Sequence, residues 1–342
     1  MKKQKITMED IAKKVGVSKS IVSIALSNKY GVSEDMRSKI FLAAHEMDYN
    51  FSKIKSYENR TKNKLTLFIA NKTVLAEAFW SDIILGIENA VNENNMYMQV
   101  FVFNGETHLD TMLSEIHESK TSGIIMIKDY DNNIIQKISM VTLPMVVVDP
   151  KQVTLDNVSQ ICVNNYESAY FCANHFIEQG HSNIAFYGDR TFSLSFQQRY
   201  NGFRDAILNS EKDITFTKMI SKAEEINVVC NIGEIQEAFS KKDYPTAVFC
   251  ANDLIAFLLY DKLTEKGFKI PQDVSIVGFD NLEKSAWLNL STFHVPKFEM
   301  GKKAVEKLIE MIKNPKMLSE KIEIVAKYIE RGSVSARREE NK

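Results

Sequence analysis

The side chains able to do covalent or metal chemistry are scattered along this sequence. Its six histidines are His45, His108, His117, His175, His181 and His294, and none forms HExxH or another tight ligand spacing. His181 belongs to a Gly-His turn after a helix, a structural place. Four cysteines, Cys162, Cys172, Cys230 and Cys250, form no CxxC pair and each lies in an apolar stretch. That pattern reads as buried free thiols in a reducing compartment. Neighbouring carboxylates such as Glu9-Asp10 and Glu224-Glu225 sit on polar helix faces, and with no nucleophile beside them they are solvated charges. No two glycines are spaced GxG, which excludes the dinucleotide fingerprint, the Walker-type phosphate loop and GxSxG. The expectation is a protein that is not an enzyme and holds no metal or cofactor.

What the spacing does support is recognition of an anion by the N-terminus. Residues 1–64 hold 14 Lys/Arg against 7 Asp/Glu, while the whole chain has a net charge of −1, so a basic head precedes an acidic body. Two short helices joined by Gly16-Val17-Ser18 match helix-turn-helix geometry, whose second helix lies in the DNA major groove. Its outward candidates are Lys19, Ser20, Ser23 and Ile24. Lys19 reaches a guanine edge or a phosphate, and the serines contact either. The helix caps Thr7 and Ser18, Asn28 in the following turn and Tyr49 at the end of the head complete the near set. The blander alternatives are a solvated basic tail or a three-helix bundle used for assembly.

The elements that must position these groups follow from caps and periodicity. Thr7, Ser18 and Ser33 precede apolar-periodic stretches, and Gly16 stops the first, giving three short helices between residues 6 and 48. Residues 50–64, rich in Lys, Asn and Ser, read as a hinge or linker. From Leu65 the pattern alternates between strand and helix. Strands are expected at 65–70, 97–103, 122–127, 145–148, 183–187, 246–250 and 274–278. Helices are expected at 81–95, 166–179, 193–209, 252–267 and 297–313. This alternation predicts an α/β core of doubly wound parallel sheets, and the 65–335 span is long enough for two such lobes. The apolar runs, such as Met145 to Val148, fall far short of the ~20 residues of a membrane span. The basic start lacks the apolar segment of a signal peptide, which points to the cytoplasm.

The stretch ITMEDIAKKVGVSKSIVSIALSNKYGVSEDMRSKIFLAAHEMDYN resembles the DNA-binding head of the lactose-repressor/galactose-repressor (LacI/GalR) transcription regulators. The resemblance continues through Gly123-Ile124-Ile125, Gly180-His181-x-x-Ile184, Arg199-x-x-Gly202-Phe203 and Ala251-Asn252-Asp253-x-x-Ala256. It ends with Pro271-x-Asp273-Val274-Ser275-Ile276-Val277-Gly278-Phe279-Asp280 and Ile329-x-Arg331-x-Ser333. It implies a helix-turn-helix head at 1–49, a hinge at 50–64, a periplasmic-binding-protein-like core at 65–335 and a tail at 336–342. The N-lobe would take about 65–163 and 295–324, and the C-lobe about 164–291 and 327–335.

The head departs from the family pattern VSxxTVSRVLN. Ile21 stands at the usual Thr, Ile24 at the usual Arg and Ser27 at the usual Asn. Losing the Arg removes a contact worth ~1–3 kcal/mol of discrimination if bidentate, whereas an Ile suits a thymine methyl. In the hinge, Glu58 occupies the place of the leucine that wedges into the minor groove, leaving Ile54 or Tyr57 for that task. A weakly folding hinge and little DNA bending are expected.

In the core, the resemblance implies a ligand in the cleft at the carboxyl ends of the strands. By motif, Asp149, Arg199, Asn252 and Asp280 fall there. Carboxylates, an amide and a guanidinium together suit sugar hydroxyls, which need both donors and acceptors. Phe79 and Trp80 are candidates to stack on a sugar face, and Trp287 to close the other side. Each has a duller reading: helix caps for Asp280 and Asn252, a surface ion pair for Arg199, a turn for Asp149, core or subunit contacts for Phe79 and Trp80. The resemblance implies a homodimeric repressor that binds a near-palindromic double-stranded operator and is released by a sugar or sugar derivative. The alternatives are control by a nucleobase co-repressor or a phosphoprotein partner, or a solute-binding protein.

Overall fold

The computed structural model describes residues 6–27, 31–47, 49, 64–70, 74, 77–102, 109–118, 121–128, 132–151, 155, 157–220, 222–224, 227–229, 232–240 and 242–337. The expectations for Asn28, Ile54, Tyr57, Glu58, His108 and Cys230 lie outside the described residues.

The head is three helices, α1 (Met8–Val15), α2 (Lys19–Leu26) and α3 (Glu34–Glu46). Thr7 closes a reciprocal capping box: its Oγ1 accepts from Asp10 N at 3.4 Å, and Asp10 Oδ2 accepts from Thr7 N at 2.8 Å. Gly16 ends α1 at φ +76°, a left-handed conformation that a side chain would strain. Ser18 and Ser33 cap α2 and α3 one way only, their hydroxyl oxygens accepting from Ile21 N and Met36 N. Ile11, Val22, Ala25, Leu26, Ile40 and Ala44 form a dry core, and Arg37 Nη1 donates to Ala25 O at 2.9 Å, tying α3 to α2.

The first lobe is built on strands β1 (Lys64–Ile69), β2 (Tyr97–Val102), β3 (Gly123–Ile127), β4 (Met145–Val148) and β5 (Val158–Val163), with helices α4 (Ala78–Glu93), α5 (Leu109–Glu118) and α6 (Asn132–Ser139). The second holds α7 (Asn165–Glu178), β6 (Asn183–Tyr187), α8 (Leu194–Leu208), β7 (Thr215–Met219), β8 (Lys222–Glu224), β9 (Asn227–Val229), α9 (Ile232–Ala238), β10 (Ala247–Cys250), α10 (Asp253–Glu265), β11 (Ser275–Val277), α11 (Glu283–Trp287) and β12 (Thr292–His294). Then α12 (Lys297–Lys313) and β13 (Lys321–Ile324) return to the first lobe, and β14 (Lys327–Ile329) to the second.

Every pairing in the six-stranded sheet β13-β5-β4-β3-β1-β2 and in the four-stranded sheet β11-β10-β6-β7 is parallel. Strands β3 and β4 are buried along their whole length, as strands covered on both faces must be. β14 pairs antiparallel with β12. The chain therefore passes between the lobes three times, near Asn164, near Val295-Pro296 and near Val325-Ala326.

Helix packing is close enough to require small residues. A Cβ on Gly202 of α8 would stand 2.1 Å from the Tyr166 carbonyl oxygen of α7, and one on Gly301 of α12 would stand 2.1 Å from the Ile83 carbonyl oxygen of α4. Backbone cannot yield there, so these glycines set the interaxial distances on both lobes. His181, buried, bonds Thr246 Oγ1 at 2.9 Å and Ser335 O at 3.0 Å, and so anchors the C-terminal segment. Cys162, Cys172 and Cys250 are buried and form no disulfide among the described residues, and burial pushes the Cys162 thiol up to about 12. No helix among the described residues is long and apolar enough to cross a membrane.

Candidate functional site

In the head, Lys19 and Ser20 are exposed on the first turn of α2, and Ser23 and Ile24 are half-buried one turn later. Ser18 is exposed and caps the same helix end, so its side chain and the free amides of the turn face one way. Lys19 Nζ lies 3.5 Å from Glu9 Oε2. Both are exposed, so the pair is worth little and leaves the ammonium available to a phosphate. Thr7 is exposed at the start of α1. Tyr49 corrects one expectation. Its ring is 8% exposed and packs in the head's apolar core, so it serves the head's stability and not a base contact.

In the core, the polar candidates stand just past strand ends. Asp149 follows β4 at φ +53°, and Asp280 comes three residues after β11 at φ +107°. Neither is a glycine, so both hold costly left-handed backbone, as residues at ligand clamps often do. Asp149 Oδ1 accepts from Ser195 Oγ of α8 at 2.5 Å, a direct link between the lobes.

Arg199 is 4% exposed. Its Nε donates to Asn165 Oδ1 at 2.8 Å and its Nη1 to Ala251 O at 2.6 Å. Nη2 lies 3.8 Å from Asp280 Oδ1, and the guanidinium stacks 3.6 Å over the Phe279 ring. That same Asp280 oxygen is buried and takes no hydrogen bond among the described residues. A buried carboxylate oxygen without a donor costs free energy, and a ligand hydroxyl would satisfy it.

The backbone oxygen of Asp280 accepts from buried Lys297 Nζ at 2.7 Å, and that ammonium stands 6.0 Å from the Phe79 ring centre. Phe79 thus borders the same group of residues. Trp80 does not: 5% exposed, it packs in the core and meets Phe79 edge-on at 5.0 Å. Its assignment to a sugar face is corrected to a core role, because α4 turns successive residues to different sides. Trp287 is 76% exposed at the end of α11 and joins this group through no hydrogen bond or ring contact among the described residues. Asn252 caps α10, its Oδ1 accepting from Ile255 N at 3.0 Å. Ser195, Asn165 and Lys297 had escaped the sequence reading, because serines, asparagines and lysines carry no local mark of burial.

Burial pushes the Asp280 carboxyl up to about 7, against the pull of the Arg199 guanidinium. Asp149 is raised too, by burial, with the Ser195 bond and Arg199 opposing. For Asp280 the folded value exceeds the unfolded one, so the folded state binds the extra proton between pH 4 and 7. Its contribution to stability is complete below about pH 4 and is lost as pH rises through about 7. Asp280→Asn should therefore gain stability relative to the parent as pH goes from 5 to 8. Urea unfolding of both proteins across that range checks this, and a constant difference would refute it.

Two family models match the chain. The model for bacterial regulatory proteins, lacI family, covers residues 7–51, and that for a periplasmic binding protein-like domain covers 173–334. The HTH-type transcriptional repressor PurR of Aliivibrio salmonicida is 29% identical over 318 residues, 90% of this chain and 92% of its own. The ribose operon repressor of Haemophilus influenzae is 29% identical over 314 residues, with the same coverage of 90% and 92%. The Lac repressor dimer bound to operator and the anti-inducer ONPF shares the fold at TM-score 0.74 and 19% identity, over 97% of this chain and all of that one. A capped helix-turn-helix head joined to two parallel-sheet lobes with three crossovers, matched in that order by the two models and by repressors of similar length, is similar throughout to the lacI family of bacterial regulatory proteins.

Proposed function

We propose that this protein is a homodimeric transcriptional repressor that a sugar or sugar derivative releases from its operator. The observation carrying the effector reading is the convergence of Asp149, Ser195, Arg199 and Asp280 from both lobes, with one Asp280 oxygen lacking a donor. Hydroxyls of a sugar supply donors to the carboxylates and acceptors to the guanidinium, and Phe79 offers an apolar ring beside them. Asp149 and Ser195 join the lobes directly, so a ligand that replaces their bond changes the lobe angle. The ribose operon repressor and the cellobiose-bound regulator CelR, a structural neighbour at TM-score 0.69, are the relatives that favour a carbohydrate.

In the head, Lys19, Ser20, Ser23 and Ile24 would read one half-site each time, and two heads require two copies. Exposed Leu254 on α10 and Trp287 on α11, helices tied by Lys284 to Asp261 at 3.6 Å, offer apolar surface to a second copy. Thr7 and Ser18 would serve as caps and phosphate contacts. Such a regulator works in the cytoplasm and does no catalysis.

A thermal-shift screen with pentoses, hexoses, disaccharides, sugar phosphates and purines tests the effector. At a hundred times its dissociation constant a ligand adds ~2.7 kcal/mol, which at ~2–4 °C per kcal/mol raises the midpoint by about 5–10 °C. The shifting compound should then weaken operator binding in a gel assay. A response to purines alone, with tightened operator binding, would replace the sugar inducer by a nucleobase co-repressor.

A further inference from the structure

We propose that the crossover region carries a second small-molecule site, built for a single-ring organic cation. A cavity of about 220 Å³ opens there, separate from Asp149, Arg199 and Asp280. Its wall is aromatic: Phe171 from α7, Phe293 from β12 and Tyr328 from β14. Phe171 and Tyr328 lie 5.5 Å apart at 54°, Phe293 and Tyr328 5.3 Å apart at 52°, and Phe171 and Phe293 6.2 Å apart at 89°. Three mutually inclined rings make a concave surface, and ring faces carry the negative end of the aromatic quadrupole.

The remaining wall settles the sign of the ligand's charge. Glu167, exposed in the first turn of α7, is the one charged residue lining the cavity among the described residues. Lys321 of β13 interacts with it and also pairs with Glu323 at 2.5 Å, so two carboxylates face one ammonium there and the net local charge stays negative. A cation between the rings and this carboxylate gains cation–π and ion-pair attraction; a neutral ring keeps only stacking and an ordinary hydrogen bond, and an anion is repelled.

Size points to one ring. A cavity of roughly 150 Å³ accommodates benzene, so about 220 Å³ admits a ring with a short substituent. Phe171 is 49% exposed, an apolar surface such a ligand would cover.

The floor ties two crossovers together. Asn164 Oδ1 accepts from Ala326 N at 2.9 Å and from Ser168 Oγ at 3.2 Å. From the wall, Phe293 stacks on Phe279 at 5.2 Å, and Phe279 lies under Arg199. An occupant therefore touches the segments about which the lobes turn, through contacts continuous with the cleft.

Benzamidinium is the probe and benzamide its neutral isostere, each titrated into the full chain by calorimetry and thermal shift. Benzamidinium should bind saturably, and benzamide at least about tenfold more weakly. Glu167→Gln and Phe171→Ala should each weaken benzamidinium about tenfold; Glu167→Gln, at an exposed site, should leave the unliganded midpoint within about 1 °C of the parent, and Phe171→Ala, which loses ring contacts, should lower it by a few degrees without unfolding the chain. Equal binding of benzamide, no saturable binding, or binding unaffected by either variant would overturn the proposal. So would benzamidinium binding abolished by Asp280→Asn, since that puts the cation in the cleft. The result is independent of the sugar reading, whose ligand and variants are different.

Discussion

Arg199→Ala should cost about 3–5 kcal/mol of stability and abolish the response to the cleft ligand. The guanidinium is the node of the second lobe's inner face. It joins α7 through Asn165, the end of β10 through Ala251 O, and the Asp280 carboxylate at 3.8 Å. Removing it leaves the buried Asp280 carboxylate with only Lys297, bonded to its backbone oxygen, as a neighbouring cation among the described residues. It also leaves an amide oxygen and a backbone oxygen without donors, and uncovers the face of Phe279. Without the guanidinium's pull, burial raises the Asp280 carboxyl further. Adding Asp280→Asn to Arg199→Ala should therefore recover part of the loss. Urea unfolding of the parent, both single variants and the double variant gives the coupling directly. A loss under about 1 kcal/mol for Arg199→Ala, or strictly additive losses, would show that the pair is not linked. Arg199→Lys should fall between, since an ammonium cannot reproduce the planar fork that reaches three partners.

Asp253→Ala should be as damaging, for a different reason. This carboxylate is fully buried yet fully used. It accepts from Leu282 N at 2.8 Å, from Ser285 Oγ at 2.5 Å and from Thr292 Oγ1 at 2.6 Å. Those donors come from the α11 entry, α11 itself and β12, so one side chain fixes the whole segment after Asp280. Gly278 leaves the room, because a Cβ there would lie 2.1 Å from Asp253 Oδ1. Alanine would strand three buried donors at about 1–3 kcal/mol each, partly relieved by hydroxyl rotation, for a net of about 3–5 kcal/mol. Asp253→Asn retains one acceptor and should lose roughly half as much. The check is the urea midpoint of both variants, and equal losses from alanine and asparagine would contradict this account.

Much of the head was legible because its signals are local. Thr7, Ser18 and Ser33 cap within three residues of themselves, and Gly16 takes the left-handed turn where it stands. The strongly apolar central strands β3 and β4 were legible for the same reason: four or five consecutive apolar residues suit a strand covered on both faces. The less apolar β7 and β13, Thr-Phe-Thr-Lys-Met and Lys-Ile-Glu-Ile, were not. They sit at sheet edges, where polar residues alternate and the partner strand decides the conformation. Strand β5 escaped because Val-Ser-Gln-Ile-Cys-Val mixes polar and apolar residues, although it is central to its sheet.

The candidate site divides in the same way. The sequence by itself determined the residue types available at strand ends: Asp149, Asn252 and Asp280, with Arg199 opening a helical motif. It could not tell Phe79 from Trp80, which are adjacent in the chain but turned to different surroundings by the helix. Nor could it distinguish Tyr49 in a core from Tyr49 at a groove, or Trp287 on the surface from Trp287 in a cleft. Those outcomes, and the pairing of Arg199 with groups 34 and 52 residues away, rest on tertiary packing. Burial and long-range hydrogen bonds depend on which elements come together, and no short stretch of sequence carries that information. Local caps and periodicity write themselves in the chain; the dry, partnered geometry of the cleft exists only once both lobes have folded around it.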